Sequence, residues 1–374
     1  MSTIRVDVNP KILVWAREER GFNIDYVASK VKKDASIIQD WETHGCGLPY
    51  TILVKLSQLY KRQVAVFFLS NTPPETKKPE DFRNLNRQNK ELSPDAILAI
   101  RRTKRYLELY REYMPAEQLK NQYKWLQVLR ERQHDGLEET LRDLLDVPIS
   151  EQKKKKNQNL KFWRNRIEEK LNIFVFQFPV DESEFDGFSY IADGPPFGIT
   201  LSNKATENRK IFTLFHEIAH IIKDHAGICI TGPSRTFQKF ETHCNKFAAG
   251  FLMPKNEMAI FSSFEDLQSR ADELGVSREA YLIRAHDLNL VNDTDFFDYM
   301  TKIEQINKMF MMKQAEENKH GNGYVPRDIL SKSYRGEKFF DFVLEIYNAN
   351  RISPTVVRDV LDLKVMGLER SSRQ

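Results

Sequence analysis

His216, Glu217 and His220 fall inside the stretch Thr213-Leu214-Phe215-His216-Glu217-Ile218-Ala219-His220. Histidines at i and i+4 lie one turn apart on the same helix face. Both can therefore aim an imidazole nitrogen at one metal ion. Glu217 sits about 100° round the helix from His216, close enough to reach a water activated by that ion without being a ligand. This is the equipment for a water nucleophile with an adjacent general base. The flanking Ile211, Phe212, Leu214, Phe215, Ile218, Ala219, Ile221 and Ile222 are apolar nearly all round, so the helix is expected to be buried. Burying two histidines and a glutamate without partners is costly, and a metal ion satisfies them together. The bland alternative is a helix whose core histidines bond to backbone.

A tetrahedral hydrolytic site needs a third protein ligand and one open position. The next apolar helix offers Glu241, His243 and Cys244. Glu241 is favoured, because Asn245 lies one turn on and can buttress a ligating residue. His243 and Cys244 remain competitors, and adding Cys244 would tend toward a closed structural site. Asp224, one turn beyond His220, could accept that ring's free N–H, while His225 is out of phase with both histidines. Tyr190, His243, Tyr281 and His286 are candidates for the electrophile that hydrolysis requires.

The elements that must carry these residues are mainly helical. In the first 70 residues Pro10 opens a helix that Gly21 stops, and Asn23 caps a second. A third runs through Ile37, Ile38 and Trp41, and a fourth through Ile52, Leu53, Leu56 and Leu59. Short helices joined by tight turns predict a helix-turn-helix bundle over residues 1–72. Pro73, Pro74 and Pro79 mark a breaker-rich connection, after which Ser93-Pro94-Asp95 starts a charged helical linker region within 73–158. Lys153 to Lys156 read as linker, since lysines without interleaved aromatics are weak evidence for a nucleic-acid arm. Ile173–Phe178, Phe188–Ile191 and Gly198–Leu201 are predicted strands. The motif helix is expected from near Lys210, the next over Thr236–Leu252, and more helices follow to the end. The fold class is thus mainly α with a small β-sheet (α+β), with domains at 1–72, 73–158, 159–291 and 292–374.

Composition agrees with a protein that buries real cores. Of 374 residues, 41% are hydrophobic, and 57 basic against 53 acidic residues leave a net charge of +4. That balance excludes a histone-like polycation and an acidic disordered tail. No apolar run approaches the ~20 residues a membrane span needs. The three cysteines Cys46, Cys229 and Cys244 form no CxxC pair, and the N-terminus carries no apolar h-region. A cytoplasmic protein without a disulfide framework or membrane partner is expected.

"RKIFTLFHEIAHII" followed by "ETHCNKFAAGFLMP" resembles the ImmA/IrrE family of metallopeptidases. That family follows H-E-x-x-H with E-x-x-A-N-x-F-A-A-x-L-L-M-P. The matching positions are Glu241, Asn245, Phe247, Ala248, Ala249, Leu252, Met253 and Pro254. Cys244 stands where the family usually has Ala, and Phe251 where it has Leu. The resemblance covers roughly residues 160–290. It implies a zincin-like domain with Zn2+ held by His216, His220 and Glu241, Glu217 as the catalytic residue and Asn245 behind the ligands. "LVWAREERGFNIDYVASKV" and "IIQDWE" resemble an XRE-type helix-turn-helix domain, an arrangement known ahead of such peptidases. The family further implies cleavage of a helix-turn-helix transcriptional repressor in stress, prophage or defence regulation.

In a helix-turn-helix the second helix of the pair lies in the major groove. Here that places Ser36, Gln39 and Thr43 against double-stranded DNA, and such proteins often form homodimers. Residues 1–70 hold ten Lys/Arg against seven Asp/Glu, a modest attraction for phosphate. The alternative reading is a DNA-binding regulator or antitoxin-like partner whose zinc site is a sensor or scaffold.

Overall fold

The computed structural model describes residues 4–73, 92–132, 136–181, 184–191, 194–224, 227–228, 235–317 and 326–363. The connection around Pro74 and Pro79 and the residue His225 lie outside them. The chain divides into two compact units, Met1–Arg101 and Arg102–Gln374. The division falls inside one helix, Pro94–Tyr113, so most of the charged helical stretch belongs to the unit that holds the motif.

In the first unit α1 (Pro10–Glu18), α2 (Ile24–Val31), α3 (Ala35–His44) and α4 (Tyr50–Tyr60) enclose one apolar core. Asn9 and Asn23 cap α1 and α2 by accepting the amides of Lys11 and Tyr26 at 3.1 and 2.8 Å. Gly45 ends α3 with φ +70°, a left-handed position in which an added Cβ would meet Val8 O at 2.1 Å. Ile12, Leu13, Val27, Ile38, Trp41, Leu53 and Phe67 fill the centre. The Arg17 guanidinium grips the Glu42 carboxylate at 2.8–3.1 Å and ties α1 to α3. Two-residue strands β1 (Arg5–Val6) and β2 (Leu48–Pro49), which the sequence pattern did not foretell, pair antiparallel.

The second unit is built on a four-stranded sheet in the order β3-β5-β4-β6, with β3 at Phe174–Phe178, β4 at Gly187–Tyr190, β5 at Gly198–Ser202 and β6 at Gly227–Ile228. β3 and β5 run parallel, whereas β4 is antiparallel to β5 and β6. The first three match the predicted strands to within a residue or two; β6 is too short to carry a pattern. Every residue of β3, β4 and β5 is buried, so both faces are covered. Gly187 cannot be larger, because a Cβ there would lie 2.7 Å from Thr213 on the motif helix. The C-terminal helices Arg327–Arg335 and Glu337–Asn348 belong to this core. Phe339 stacks on Tyr106 at 5.0 Å and meets Phe176 edge-on at 5.4 Å. Ser333 O accepts from Arg164 Nη1 and Gln177 Nε2, at 2.6 and 3.1 Å, which fastens these helices against β3 and the helix before it. No helix among the described residues is long and apolar enough to cross a membrane.

Candidate metal centre

The motif helix spans Glu207–Ile222, three residues earlier at its start than periodicity alone places it. Glu207 occupies its first turn, where a carboxylate suits the positive end of the helix dipole, and accepts the Leu160 amide at 2.7 Å. From Thr213 to Ile222 every residue is buried. His216 and His220 face the helix Arg235–Leu252, and this helix supplies Glu241, Cys244 and Asn245.

Nε2 of His216 and Nε2 of His220 lie 3.1 Å apart. Glu241 places Oε2 3.2 Å from the first and Oε1 3.5 Å from the second. Ligand bonds of 2.0–2.1 Å at tetrahedral angles put neighbouring donors about 3.3 Å apart. The two histidine nitrogens and the Glu241 oxygen nearest each of them thus lie close to the spacing of neighbouring corners of a zinc tetrahedron. His243, the competing ligand, is exposed. Cys244 is fully buried and lies outside the donor group.

The charges tell the same story. Burial works against a charge on His220, yet bonds with Cys244 and Glu241 and the field of Glu217 push its pKa up to about 11. Burial likewise opposes ionisation of Glu241, but both imidazoles bond its carboxylate and hold it well below the usual carboxylate range. A pocket that demands a positive charge between these donors is one that a divalent cation fits. Glu217 completes the test. Its side chain has no exposure at all, and neither carboxylate oxygen has a hydrogen-bond partner among the described residues. An orphaned buried carboxylate is expensive, and beside these donors a proton-bearing water is the partner that offsets the cost.

His216 is held from behind by the second helix. His216 Nδ1 donates to Asn245 Oδ1 at 2.8 Å, the buttress expected of that residue. Asp224 does not serve His220. The helix ends at Ile222, Asp224 turns to φ +54°, and its carboxylate pairs with Arg130 at 3.2 Å. Of the proposed electrophiles, the buried Tyr281 bonds both the amide and the carbonyl of Ala259, and His286 pairs with Asp293 at 2.8 Å.

Two arginines from the charged helical stretch had no signal in sequence spacing. Arg130 donates to the carbonyls of Ile222 and Ile221 at 2.9 and 3.3 Å, the open end of the motif helix. Arg142 donates to Phe251 O at 2.5 Å, the open end of the other site helix, and to Val147 O and Gln152 Oε1. Gln152 adds a bond to Leu252 O at 2.8 Å. Both helices that carry ligands are therefore capped from residues 130–152. Ser36, Gln39 and Thr43 belong to the first unit, exposed along α3.

No curated protein and no solved structure matches the chain. Residues 168–286, the stretch holding both histidines, Glu217, Glu241, Cys244 and Asn245, match the family model of the IrrE N-terminal-like domain (Peptidase_M78) and support a metallopeptidase-type function for that part of the chain.

Proposed function

We propose that the chain is a zinc-dependent endopeptidase acting on a protein substrate, a helix-turn-helix transcriptional repressor. The observation that carries the reading is the orphaned Glu217 carboxylate beside three converging metal donors. Zinc held by His216, His220 and Glu241 would supply an acidified water and a Lewis acid for the scissile carbonyl. Glu217 takes the proton from the attacking water and hands it to the leaving amine. Asn245 keeps the His216 ring turned so that Nε2 faces the donor cluster. The choice of a repressor as substrate follows from the family resemblance and places the enzyme in stress, prophage or defence regulation.

Glu217→Gln tests this directly. The variant should keep zinc, because Glu217 is not among the three donors, and should lose cleavage by about 10²–10⁴-fold. New protein N-termini are to be compared in cells expressing wild type or Glu217→Gln. Termini inside helix-turn-helix proteins that appear only with wild type support the reading; equal cleavage by both overturns it.

A second reading, a DNA-binding regulator or antitoxin-like partner with a zinc scaffold, is favoured by one observation in the first unit. Of the acidic residues on α3, Glu42 is neutralised locally by Arg17 at 2.8 Å, and Asp40 Oδ1 lies 2.9 Å from His44 Nδ1. Ser36, Gln39 and Thr43 are exposed on the same helix. A salt-dependent shift of operator DNA that survives Glu217→Gln and is lost on substituting Gln39 would favour it.

A further inference from the structure

The metal donors come from two helices, so their spacing follows from how far apart those helices sit. That distance is set by the side chains where the helices meet. Between the motif helix and the helix Arg235–Leu252, two rings lie face to face. Phe215, the residue before His216, stacks on Phe251 with centroids 4.1 Å apart and planes 24° from parallel. Phe251 follows Asn245 on its helix, so the stack lies beside the donors rather than among them. Trp163, from the helix Leu160–Lys170, meets Phe215 edge-on at 5.0 Å and Phe251 at 5.8 Å. The Arg142 guanidinium lies 4.5 Å over the Phe251 ring. All three rings are buried, Phe215 and Phe251 without any exposure. A close-packed interior leaves rings held in this way little room to yield.

We infer that Phe251 is a positioning residue for the metal centre: its stack on Phe215 sets the helix separation at which Glu241 meets both histidines. Two flat rings in contact make a stiff spacer, and the pairing adds its own attraction. An aliphatic side chain would fill the same space at a different separation. Of the three donor residues only Glu241 comes from the second helix. Its Oε2 and Oε1 lie 3.2 and 3.5 Å from the histidine nitrogens. Metal–ligand distances tolerate changes of only about 0.2 Å. A small displacement of that helix, which an apolar core would absorb, therefore reaches the carboxylate as lost affinity. Metal binding in this chain then depends on a ring that touches no donor. The inference rests on the proposed metal site, and the experiment separates the two.

Zinc affinity is to be measured on the full chain by competition with a chromogenic chelator, each variant being checked for native folding in the zinc-free state. Phe251→Leu and Phe215→Leu should each bind zinc about tenfold more weakly. The double variant should also lose roughly tenfold rather than a hundredfold, because either change breaks the same stack. Phe251→Met, which keeps an unbranched apolar side chain without a ring, stands in if Phe251→Leu does not fold. Phe339→Leu removes a buried ring that meets Tyr106 and Phe176 instead, and its affinity should stay within about twofold of wild type. Ligand-field bands of the cobalt-loaded protein supply a readout that general softening would not move. They should shift in Phe251→Leu and match wild type in Phe339→Leu. Wild-type affinity and bands in the Phe251 variant overturn the inference and leave the metal site standing. An equal loss in Phe339→Leu, or additive losses in the double variant, overturns it as well. Zinc binding that is absent from wild type or unaffected by Glu241→Ala overturns the site reading and the inference with it.

Discussion

Arg142→Met probes how far the metal site depends on residues outside the matched domain. The substitution keeps the apolar stem and most of the volume but removes the guanidinium. In the native chain that group donates to Phe251 O and Val147 O, both belonging to buried residues, and lies 4.5 Å over the Phe251 ring. Two stranded carbonyls cost about 1–3 kcal/mol each, roughly 4 together. The lost cation–π contact adds about 1 kcal/mol. One gain opposes these losses. Burial holds the Arg142 pKa down at about 10, against 12.5 for a free guanidinium. Removing the group recovers about 3 kcal/mol of that desolvation. The net is about 2 kcal/mol of destabilisation, or about 4–8 °C off the melting temperature of a unit this large.

Scanning calorimetry on the zinc-free full chain measures the shift, and hydrogen exchange locates it. Faster exchange should concentrate at the end of the helix that reaches Leu252, leaving α1–α4 unchanged. A shift under about 1 °C, with exchange unaltered, would show that these carbonyls find water when the guanidinium goes. Arg142 would then not be holding the site helix in place.

Arg130→Met should follow the same pattern more weakly, about 1 kcal/mol, because that side chain is 38% exposed and water can replace it; thermal melts of the two variants side by side check the ranking. Elemental analysis should find zinc lost in Glu241→Ala and kept in His243→Ala, since Glu241 reaches both histidines while His243 is exposed and outside the donor group. Asn245→Ala should lower zinc affinity by about tenfold, read by chelator competition, through the freed His216 ring. Burial pushes Glu168 up to about 7 from 4.5 despite the neighbouring Arg164. The folded state therefore keeps a proton that the unfolded chain has lost. Stability from this group is full below pH 4.5 and is lost as pH rises through about 7, by roughly 3 kcal/mol in all. Melting temperatures across that window should fall less steeply in Glu168→Gln than in wild type.

Local chemistry made much of this fold legible. Asn23, Gly45 and Ser93 act where their side chains or backbone freedom say they should: Asn23 and Ser93 accept helix amides, and Gly45 takes a positive φ. The strands Phe174–Phe178 and Gly198–Ser202 read as apolar runs because they are covered on both faces. The two-residue strands β1, β2 and β6 had no such signal, since a run that short has no period to detect. Nor did periodicity show what the later helices pack on. The sequence says only that helices follow to the end; the folded chain shows that Phe339 meets Tyr106 and Phe176.

The metal site divides along the same line. His216, Glu217 and His220 were readable because one helix turn alone fixes their relation, whereas spacing favoured Glu241 but left it open against His243 and Cys244. Beyond Asn245, what surrounds the ligands was not readable, because it depends on how two helices face each other. Asp224 has the better chemistry for bonding His220 and the closer position in sequence. It is diverted because the motif helix stops two residues before it, and Arg130 reaches in to cap that end and pairs with it. Asn245 has weaker chemistry but stands on the helix that faces the histidines and reaches His216 Nδ1 at 2.8 Å. Zinc affinity in Asp224→Asn should accordingly match wild type to within about twofold, while Asn245→Ala falls by about tenfold. Chelator competition on this pair would show whether helix facing, rather than acceptor strength, decides which residue holds a ligand's second nitrogen.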